Sequence, residues 1–304
     1  MELRQLRYFV KTVELGSLSR AAEAVHVAQS ALSSQIARLE EELGCQLLSR
    51  SSRGAEPTEH GMQLYRRARA VLQQIEGMRD IGGGIGVEIR GKVTLGLPVS
   101  VAQTLATELF EALTKRCPHV LLRVIEYPSS YLAEQLLNHR IDVALLFAED
   151  VPRGVDAQAM IKEDFYAIGV PAPAEGDFPL TALDGVPLIL AAQPNNVRAV
   201  LDRACYAAGL TLNVVVECSN PLTMLRLARS GVGATVLPLS ALPDQASQST
   251  LPTRLITPRL QRVLALCTAI EAPQEPALLA LRGVLSDLLH DMLKNGRWPG
   301  GHKP

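Results

Sequence analysis

The stretch that decides the fold runs from residue 16 to residue 61 and reads GSLSRAAEAVHVAQSALSSQIARLEEELGCQLLSRSSRGAEPTEHG. Apolar residues recur in it at helical spacing, in two runs made of Leu18, Ala21, Ala22 and Val25, then Leu32, Ile36, Leu39 and Leu43. Gly16 and Gly44 are typical helix ends, and Ser17 is a typical N-cap. Together with an earlier apolar run from Leu3 to Val13, the pattern predicts three short helices with a tight helix-turn-helix.

The exposed side of the third predicted helix indicates a partner. Gln29 lies at its start, and Ser30, Ser33 and Ser34 point away from the apolar stripe. Amides and hydroxyls suit base edges and phosphates in a DNA major groove. The three glutamates at 40–42 occupy the other end and would repel DNA, so the helix should enter the groove with its N-terminus first. On this helix alone, an ordinary solvated face is an equally good interpretation.

The following loop favours the DNA interpretation. Arg50 and Arg53 lie in a loop that turns at Gly54, and Pro57 with the predicted N-cap Thr58 closes the loop. This is the sequence form of a wing, which would place guanidinium groups on the DNA backbone or in the minor groove. Double-stranded DNA is therefore the expected macromolecular partner, although the net charge of −1 gives no global sign of it.

A long amphipathic helix follows the wing, and GGGIG at 82–86 breaks the chain after it. Its apolar stripe consists of Met62, Tyr65, Ala68, Leu72, Ile75 and Met78. Because no folded neighbour follows directly, we expect this helix to bury its stripe against a second copy of the chain. A homodimer would also supply the second half-site that so small a head needs.

From Gly91 the pattern changes to alternating strands and helices. Two βαβαβ sets predict parallel strands with helices on both faces, and a last strand and a long helix, 277–293, close the chain. Two such lobes resemble a periplasmic-binding-protein type of fold, with the chain crossing near 162–170 and returning near 265–270. The tail GRWPGGHKP, residues 296–304, is predicted to be disordered.

Ligands of open α/β sheets lie beyond the carboxyl ends of strands, beside helix N-termini. Collected around one cleft, the hydroxyls and amides at those places would form a donor-rich pocket suited to a small anion. Each of these residues is equally well explained as an ordinary helix cap. The candidate effector residues are Pro98, Ser100, Tyr127, Ser129, Phe147, Asn195, Asn196, Ser219 and Asn220.

Several function classes lack support in the sequence. No GxGxxG, phosphate-binding loop, GxSxG or HExxH motif occurs, so we expect neither an enzyme nor a cofactor or metal site. No apolar run approaches the roughly 18 residues of a membrane span, and the N-terminus does not resemble a signal peptide, so a cytoplasmic location without membrane contact is expected. The five cysteines are widely spaced, without any CxxC.

The stretch from residue 16 to residue 61 resembles the winged helix-turn-helix of LysR-type transcriptional regulators. LRYFVK, AVHVAQSALS, LLNHRID and MIKED further resemble the nitrogen assimilation control branch of that family. The chain departs from the family pattern at Ala28, where Ser or Thr is usual, and at Ser30, where Pro is usual. Losing the capping hydroxyl costs about 1 kcal/mol unless Ser30 or a phosphate replaces it.

The resemblance implies a division into a head (1–60), a linker and dimerisation helix with a hinge (61–87) and an effector-binding domain (88–304). In that domain one lobe would hold about 88–162 and 268–295, and the other about 163–267. Carried over by position, the resemblance assigns the DNA contacts to Gln29, Ser33, Ser34 and Arg53. Ser30 and Arg50 support them. The resemblance also implies an interrupted palindromic site, a homotetramer, a small anionic metabolite as effector, and RNA polymerase as a further partner.

Two alternatives remain within the family. Some members of the nitrogen-control branch act without an effector, and some LysR-type proteins switch through a cysteine pair. Cys205 on a predicted helix and Cys218 on a predicted strand are the candidates for such a pair. Arg198 and Arg203 would be the nearby cations that lower a thiol pKa, whereas burial of both cysteines among apolar residues would make them inert.

Overall fold

A computed structural model describes residues 1–51, 54–78, 89–170, 176–242, 251–270, 272 and 275–304. The chain forms two compact units, one built from residues 1–87 and 273–275 and the other from residues 88–272 and 276–304. Each unit has its own hydrophobic core. Within the described ranges, none of the helices has the length and hydropathy needed to cross a bilayer.

The N-terminal unit is the predicted winged helix-turn-helix. Its strands pair as an antiparallel hairpin, in which Arg50 lies opposite Ala55. Phe9, Leu32 and Ile36 are fully buried at the centre of its core. Its elements are α1 (Leu3–Leu15), α2 (Leu18–Ala24), α3 (Gln29–Leu43), β1 (Leu48–Ser51), β2 (Gly54–Pro57) and α4 (Glu59–Met78).

The hairpin is fixed to the first helix by a close backbone approach. The Ala55 N–H donates to the Gly16 carbonyl over 3.0 Å. Gly54 has a φ of 137°, and a Cβ on it would lie 2.4 Å from the same carbonyl oxygen. Only glycine fits this position, because both the backbone conformation and the space exclude a side chain.

The long helix α4 differs from the prediction in what it packs against. Tyr65, Ala68 and Leu72 are buried in the core of their own unit, where α4 contacts α1. The expectation that this stripe lacks a folded neighbour is therefore wrong for its first half. The sequence before the helix, rather than after it, supplies the apolar surface that covers these three residues.

The C-terminal unit contains the two predicted sets of alternating strands and helices. Short 3-10 turns at Ala148–Asp150, Leu180–Leu183 and Leu239–Ala241 connect some of them. The first part comprises β3 (Gly91–Leu97), α5 (Val99–Arg116), β4 (Val120–Glu126), α6 (Ser129–Leu137), β5 (Val143–Phe147) and β6 (Val155–Ile168). The second comprises β7 (Phe178–Pro179), β8 (Pro187–Leu190), α7 (Asn196–Ala207), β9 (Asn213–Glu217), α8 (Pro221–Arg229), β10 (Ala234–Pro238), β11 (Thr253–Thr257), β12 (Gln261–Ala269), α9 (Pro276–Lys294) and β13 (Gly301–His302).

One long strand joins the two lobes. The strand order is β4-β3-β5-β12-β6-β10-β8-β9, and β6 pairs with β12 through residues 155–164 and with β10 through residues 165–168. Strands β3, β4 and β5 are mutually parallel, as are β8, β9 and β10, whereas β6 and β12 run antiparallel to their neighbours. The sheet is therefore mixed rather than purely parallel.

Because β12 pairs with β5 from residue 264 onward, the chain has already returned to the first lobe before residue 268.

Both lobes have helices on both faces of the sheet, which follows from right-handed crossovers between parallel strands. In the first lobe α5 and α9 cover one face and α6 covers the other. In the second lobe α7 and α8 cover opposite faces in the same way. The carboxyl ends of β3, β5, β8 and β10 thereby face the region between the lobes.

The predicted disorder of the C-terminal tail is wrong. Trp298 is 2% exposed and packs in the core of the first lobe. Gly301 and His302 form β13, which pairs with Glu163 and Lys162 of β6. Glycine and proline composition indicated a mobile tail, but one large indole side chain with a buried hydrogen-bond partner fixes it.

Candidate functional site

The DNA-facing candidates lie at the start of α3. Gln29, Ser30 and Ser34 are exposed, and Ser33 is half-buried and has a partner within the protein. The Gln29 Oε1 accepts a hydrogen bond from the Ser19 hydroxyl over 3.1 Å. Ser19 on α2 is therefore a positioning residue that sequence reasoning missed, because it comes close to α3 only through the turn.

The N-terminus of α3 has no side-chain cap. Ala28 occupies the N-cap position and supplies no side-chain hydrogen bond, as the departure at this position predicts. The N-cap Ser17 of α2, in contrast, accepts from the Arg20 N–H. Uncapped backbone N–H groups and the helix dipole favour an anion, and a DNA phosphate is the ligand that the exposed position suits.

The wing begins in β1, and the acidic block of residues 40–42 lies at the end of α3. The backbone of Arg50 lies in β1, and Arg53 lies outside the described residues. Glu40 accepts from the N–H groups of Leu47 and Leu48 over 2.8 and 3.1 Å, so it fixes the entry into the wing. Glu40 therefore also has a structural role, which the sequence pattern does not indicate.

A cavity of about 100 Å³ lies between the two lobes of the C-terminal unit, and we call it the interlobe cavity. Seven of the predicted effector residues line it: Pro98, Ser100, Ser129, Phe147, Asn195, Asn196 and Ser219. Tyr127 lies outside its wall and packs on Tyr131, with ring centroids 4.6 Å apart. Asn220 also lies outside the wall and caps α8 by accepting from the Leu222 N–H over 2.9 Å.

A buried ion pair at the cavity wall was not predicted. Arg262 of β12 and Glu163 of β6 are 2% and 1% exposed, and the Arg262 Nε lies 2.6 Å from a Glu163 oxygen. The same carboxylate accepts from the Trp298 indole over 2.9 Å and from the Ser240 hydroxyl. Arg262 stacks on the Phe147 ring with 3.8 Å between its guanidinium carbon and the ring centroid.

Asp150 is a second charged group of the wall that sequence reasoning missed. It follows β5 in the 3-10 turn and receives a hydrogen bond from the Ser129 side chain. Burial raises the pKa of the Asp150 carboxyl, and the negative charge of Glu149 adds to this, while the Ser129 hydrogen bond and Arg262 oppose it. Only the packing of β5 against α6 reveals that this carboxylate lies beside Ser129.

Asn196 crosses between the lobes. Its side-chain Nδ2 donates to a Glu149 oxygen over 2.9 Å, which joins α7 of the second lobe to the turn after β5 of the first. Asn196 is 8% exposed, and its Oδ1 has no hydrogen-bond partner within the described structure. A buried amide oxygen without a donor costs free energy, so the contact between the lobes leaves one acceptor unsatisfied.

The cysteine candidates of the redox alternative are both free thiols. Cys205 is 2% exposed in the core of the second lobe. Burial raises the pKa of both the Cys205 and the Cys218 thiol, and Asp202 raises that of Cys205 further. Arg198 does not act as the expected activating cation, because Asp202 and Glu217 bind its guanidinium over 2.8 and 2.9 Å.

Within the described ranges, no group of three or more His, Cys, Asp or Glu side chains is arranged to hold a metal ion. A winged helix-turn-helix unit followed by a two-lobed α/β unit is the architecture of a DNA-binding regulator with an additional C-terminal domain.

Comparisons with known proteins agree with this class. The family model "Bacterial regulatory helix-turn-helix protein, lysR family" matches residues 3–62, and "LysR substrate binding domain" matches residues 87–289. The nitrogen assimilation regulatory protein nac of Escherichia coli K12 is 32% identical over 301 residues, covering 98% of this chain and 99% of that protein. The protein of the same name from Klebsiella aerogenes is 34% identical over 291 residues, 95% of each chain.

Solved structures show the same fold at lower identity. A full-length OxyR variant from Pseudomonas aeruginosa matches with a TM-score of 0.76 and 24% identity, covering 94% of this chain and 98% of that one. Full-length CbnR complexed with its target DNA matches with a TM-score of 0.61 and 21% identity, covering 95% and 100%. The chain belongs to the LysR family of DNA-binding transcriptional regulators, and within it to the nitrogen assimilation control branch.

Proposed function

We propose that the protein binds an interrupted palindromic promoter site with α3 in the major groove. The observation that carries this proposal is the exposed polar face of Gln29, Ser30 and Ser34 beside an uncapped helix N-terminus. Gln29, Ser33 and Ser34 would contact base edges, with Ser30 behind them. Arg50 and Arg53 would bind the backbone from the wing. The functional division is a head (1–60), a linker (61–87) and an effector-binding domain (88–304).

The variants Gln29→Ala and Arg53→Ala test this assignment. Gln29→Ala should weaken binding to the specific site by about 1–3 kcal/mol and leave nonspecific binding nearly unchanged, because an amide reads a base edge. Arg53→Ala should weaken binding to every sequence and reduce the salt slope by about 1, because a guanidinium on a phosphate releases a counterion. Gln46→Ala, an exposed glutamine outside this face, is the matched control. Equal effects of both variants on all sequences would contradict the groove assignment.

We also propose that the regulator assembles as a homodimer and homotetramer. The sheet of the C-terminal unit ends in β4 on one side and β9 on the other, and both edge strands carry exposed apolar residues. Edge strands of this kind are available for pairing or packing with another chain. The exposed apolar side chains near the two edges are Phe110, Leu121 and Val124 in the first lobe and Val215 and Leu222 in the second. Sedimentation velocity tests the proposal, and Leu121→Asp should lower the observed mass.

The interlobe cavity is proposed as the binding site of a small-molecule effector. The seven predicted effector residues that line this cavity beside two uncapped helix N-termini support this proposal. A thermal-shift screen of the full chain against small carboxylates, amino acids, and sulfur and nitrogen metabolites tests it. A ligand at 100 times its Kd should stabilise by about 2.7 kcal/mol. No shift with any compound would instead favour the effector-independent alternative.

The promoters on which the protein acts are proposed from its similarity to known regulators. Because two nitrogen assimilation regulatory proteins are 32% and 34% identical over nearly the whole chain, we propose that this protein acts on nitrogen-assimilation promoters. As a regulator of chromosomal DNA it would act in the cytoplasm, and RNA polymerase would be its partner at the promoter. Footprinting on such promoters, with and without RNA polymerase, is the measurement.

A further inference from the structure

The tail (296–304) adds a strand at the place where the chain crosses between the lobes. The chain passes from the first lobe to the second along β6 and returns along β12, and we call these two the crossing strands. In β13, Gly301 pairs with Glu163 of β6, whose other edge is occupied by β12 at the same residue. Strand β10 of the second lobe pairs with β6 from Phe165 onward, on the edge that β13 shares. Strands β13 and β10 therefore lie end to end where β6 leaves the first lobe.

The start of the tail is anchored in the first lobe. The buried Trp298 packs in the core of this lobe, and its indole N–H donates to Glu163 over 2.9 Å. Arg297 forms ion pairs with Glu108 of α5 and Asp291 of α9, and these pairs are partly exposed. Exposed ion pairs contribute little, whereas a buried indole with a satisfied N–H contributes much, so Trp298 is the main anchor.

Beyond this anchor, the tail contacts the second lobe. A Cβ on Gly300 would lie 3.2 Å from the Leu239 side chain, so the backbone of the tail lies directly against the 3-10 turn that follows β10. Ser240 in the same turn donates its hydroxyl to Glu163, the carboxylate that also accepts from Trp298. The tail and the turn of the second lobe therefore share one buried acceptor on a crossing strand.

The end of the tail meets both crossing strands. The His302 Nε2 lies 3.5 Å from the carboxylate of Asp164 in β6. The side chain of Gln261 in β12 donates to the same carboxylate over 2.6 Å. Asp164 is paired with Gln261 in the last register position that the two crossing strands have in common. The tail thus contacts β6, β12 and the turn after β10 within three consecutive residues, Gly300 to His302.

We infer that residues 299–304 are a strap that restrains movement of the second lobe relative to the first. Such a movement requires the crossing strands to bend between the lobes, and β13 adds a third strand beside that point. Among the described residues, none after Trp298 belongs to the core of either lobe. The strap is therefore not needed to build a lobe, and its contacts act between the lobes. It sets how readily the interlobe cavity opens, whatever binds there.

Hydrogen exchange of the full chain, measured by mass spectrometry, is compared with that of a chain truncated after Trp298. The informative amides lie beside the interlobe cavity and away from the tail, in the first turns of α5 (Ala102) and α8 (Met224). They should exchange about tenfold faster in the truncated chain, because opening no longer breaks the pairing of β13 with β6. The amide of Cys117, at the far end of α5, is the internal reference and should keep its exchange rate.

Gly301→Ala perturbs the strap without shortening the chain and decides the matter if the truncated chain does not fold. A Cβ on Gly301 would lie 2.5 Å from the Trp298 ring, so β13 must move away from β6 and the same amides should exchange faster. Lys303→Ala, at an exposed position of the tail, is the matched control and should behave as the wild type.

Three results would overturn the inference. Faster exchange confined to residues 162–163 would show that the tail only covers β6 locally. An equal increase at Cys117 would show a general loss of stability rather than movement between the lobes. Unchanged exchange at both Ala102 and Met224 would show that the lobes are held without the strap.

Discussion

Glu163→Gln is the substitution that most directly tests the account of the C-terminal unit. Glu163 and Arg262 are almost completely buried with 2.6 Å between their nearest charged atoms. At an effective dielectric constant of about 20, two unit charges at this separation attract by about 6 kcal/mol. Glutamine keeps the shape and one acceptor but leaves the Arg262 charge uncompensated. We expect the free energy of unfolding to fall by about 3–5 kcal/mol, the range for breaking a buried pair.

The single tryptophan of the chain provides the assay. Trp298 donates to Glu163, and because it is the only tryptophan, its fluorescence reports the unfolding of the C-terminal unit alone. Urea unfolding of the wild type and of Glu163→Gln, followed at this tryptophan, gives the difference in stability. Glu111→Gln, an exposed glutamate on α5, is the matched control. A loss below about 1 kcal/mol would refute the reasoning, since that is the range of an exposed ion pair.

Three further perturbations test local features. Gly54→Ala should destabilise the N-terminal unit by more than about 1 kcal/mol, because a Cβ would lie 2.4 Å from the Gly16 carbonyl oxygen at a φ of 137°, and circular dichroism during thermal unfolding measures this. A stable variant would show that the wing is not held at Gly16. Ser17→Ala should cost about 1 kcal/mol in the same measurement, since the hydroxyl caps α2, and Ser17→Asn should restore stability. Cys205 should be alkylated by iodoacetamide at least about tenfold more slowly than free cysteine at neutral pH, because its raised pKa and burial both suppress the reactive thiolate. Rapid alkylation of Cys205 in the native protein would support the redox alternative instead.

The parts of the fold that the sequence predicts are those in which neighbouring residues decide the structure. Helix periodicity, Gly16 and Gly44 at helix ends and the arginine-containing turn are local signals, and they predict the head correctly. The alternation of strands and helices predicts the two lobes for the same reason.

The missed features all depend on contacts between distant positions. Strand β6 is long because β12, about a hundred residues away, pairs with it, and no local pattern in MIKED indicates this. Trp298 fixes the tail through Glu163, 135 residues earlier. Sequence spacing gives no access to such pairs without an alignment, so the ion pair, the ordered tail and the packing of α4 on its own unit could not be predicted.

The same limit applies to the candidate pocket, for which the sequence predicts a site for a small anion. Hydroxyls and amides at helix starts predict a donor-rich pocket, and the first turns of α5 and α6 do offer donors. Asn195 caps α7 by accepting from the Arg198 N–H, whereas Ser129 in the first turn of α6 accepts from the distant Phe147 N–H. Asn196 is among the predicted effector residues, but its contact with Glu149 of the other lobe cannot be seen in the sequence, and neither can the contact of Asp150 with Ser129. The chemical character of a pocket depends on which polar groups remain without a partner after folding. The packing of distant elements decides this, so local sequence patterns do not.

The position of these groups also determines how a ligand could act on the protein. Asn196 belongs to the second lobe and Asp150 to the first, and the hydrogen bonds from Asn196 to Glu149 and from Thr104 to the Ser240 carbonyl already join the lobes. A ligand in the interlobe cavity that contacts residues of both lobes gains both sets of interactions only when the lobes have this separation. It therefore binds this lobe arrangement more tightly than an arrangement with another lobe separation. Such a difference in affinity is the condition for shifting a conformational equilibrium. By reciprocity, any assembly or DNA contact that favours this lobe arrangement must raise the affinity for the ligand by the same factor.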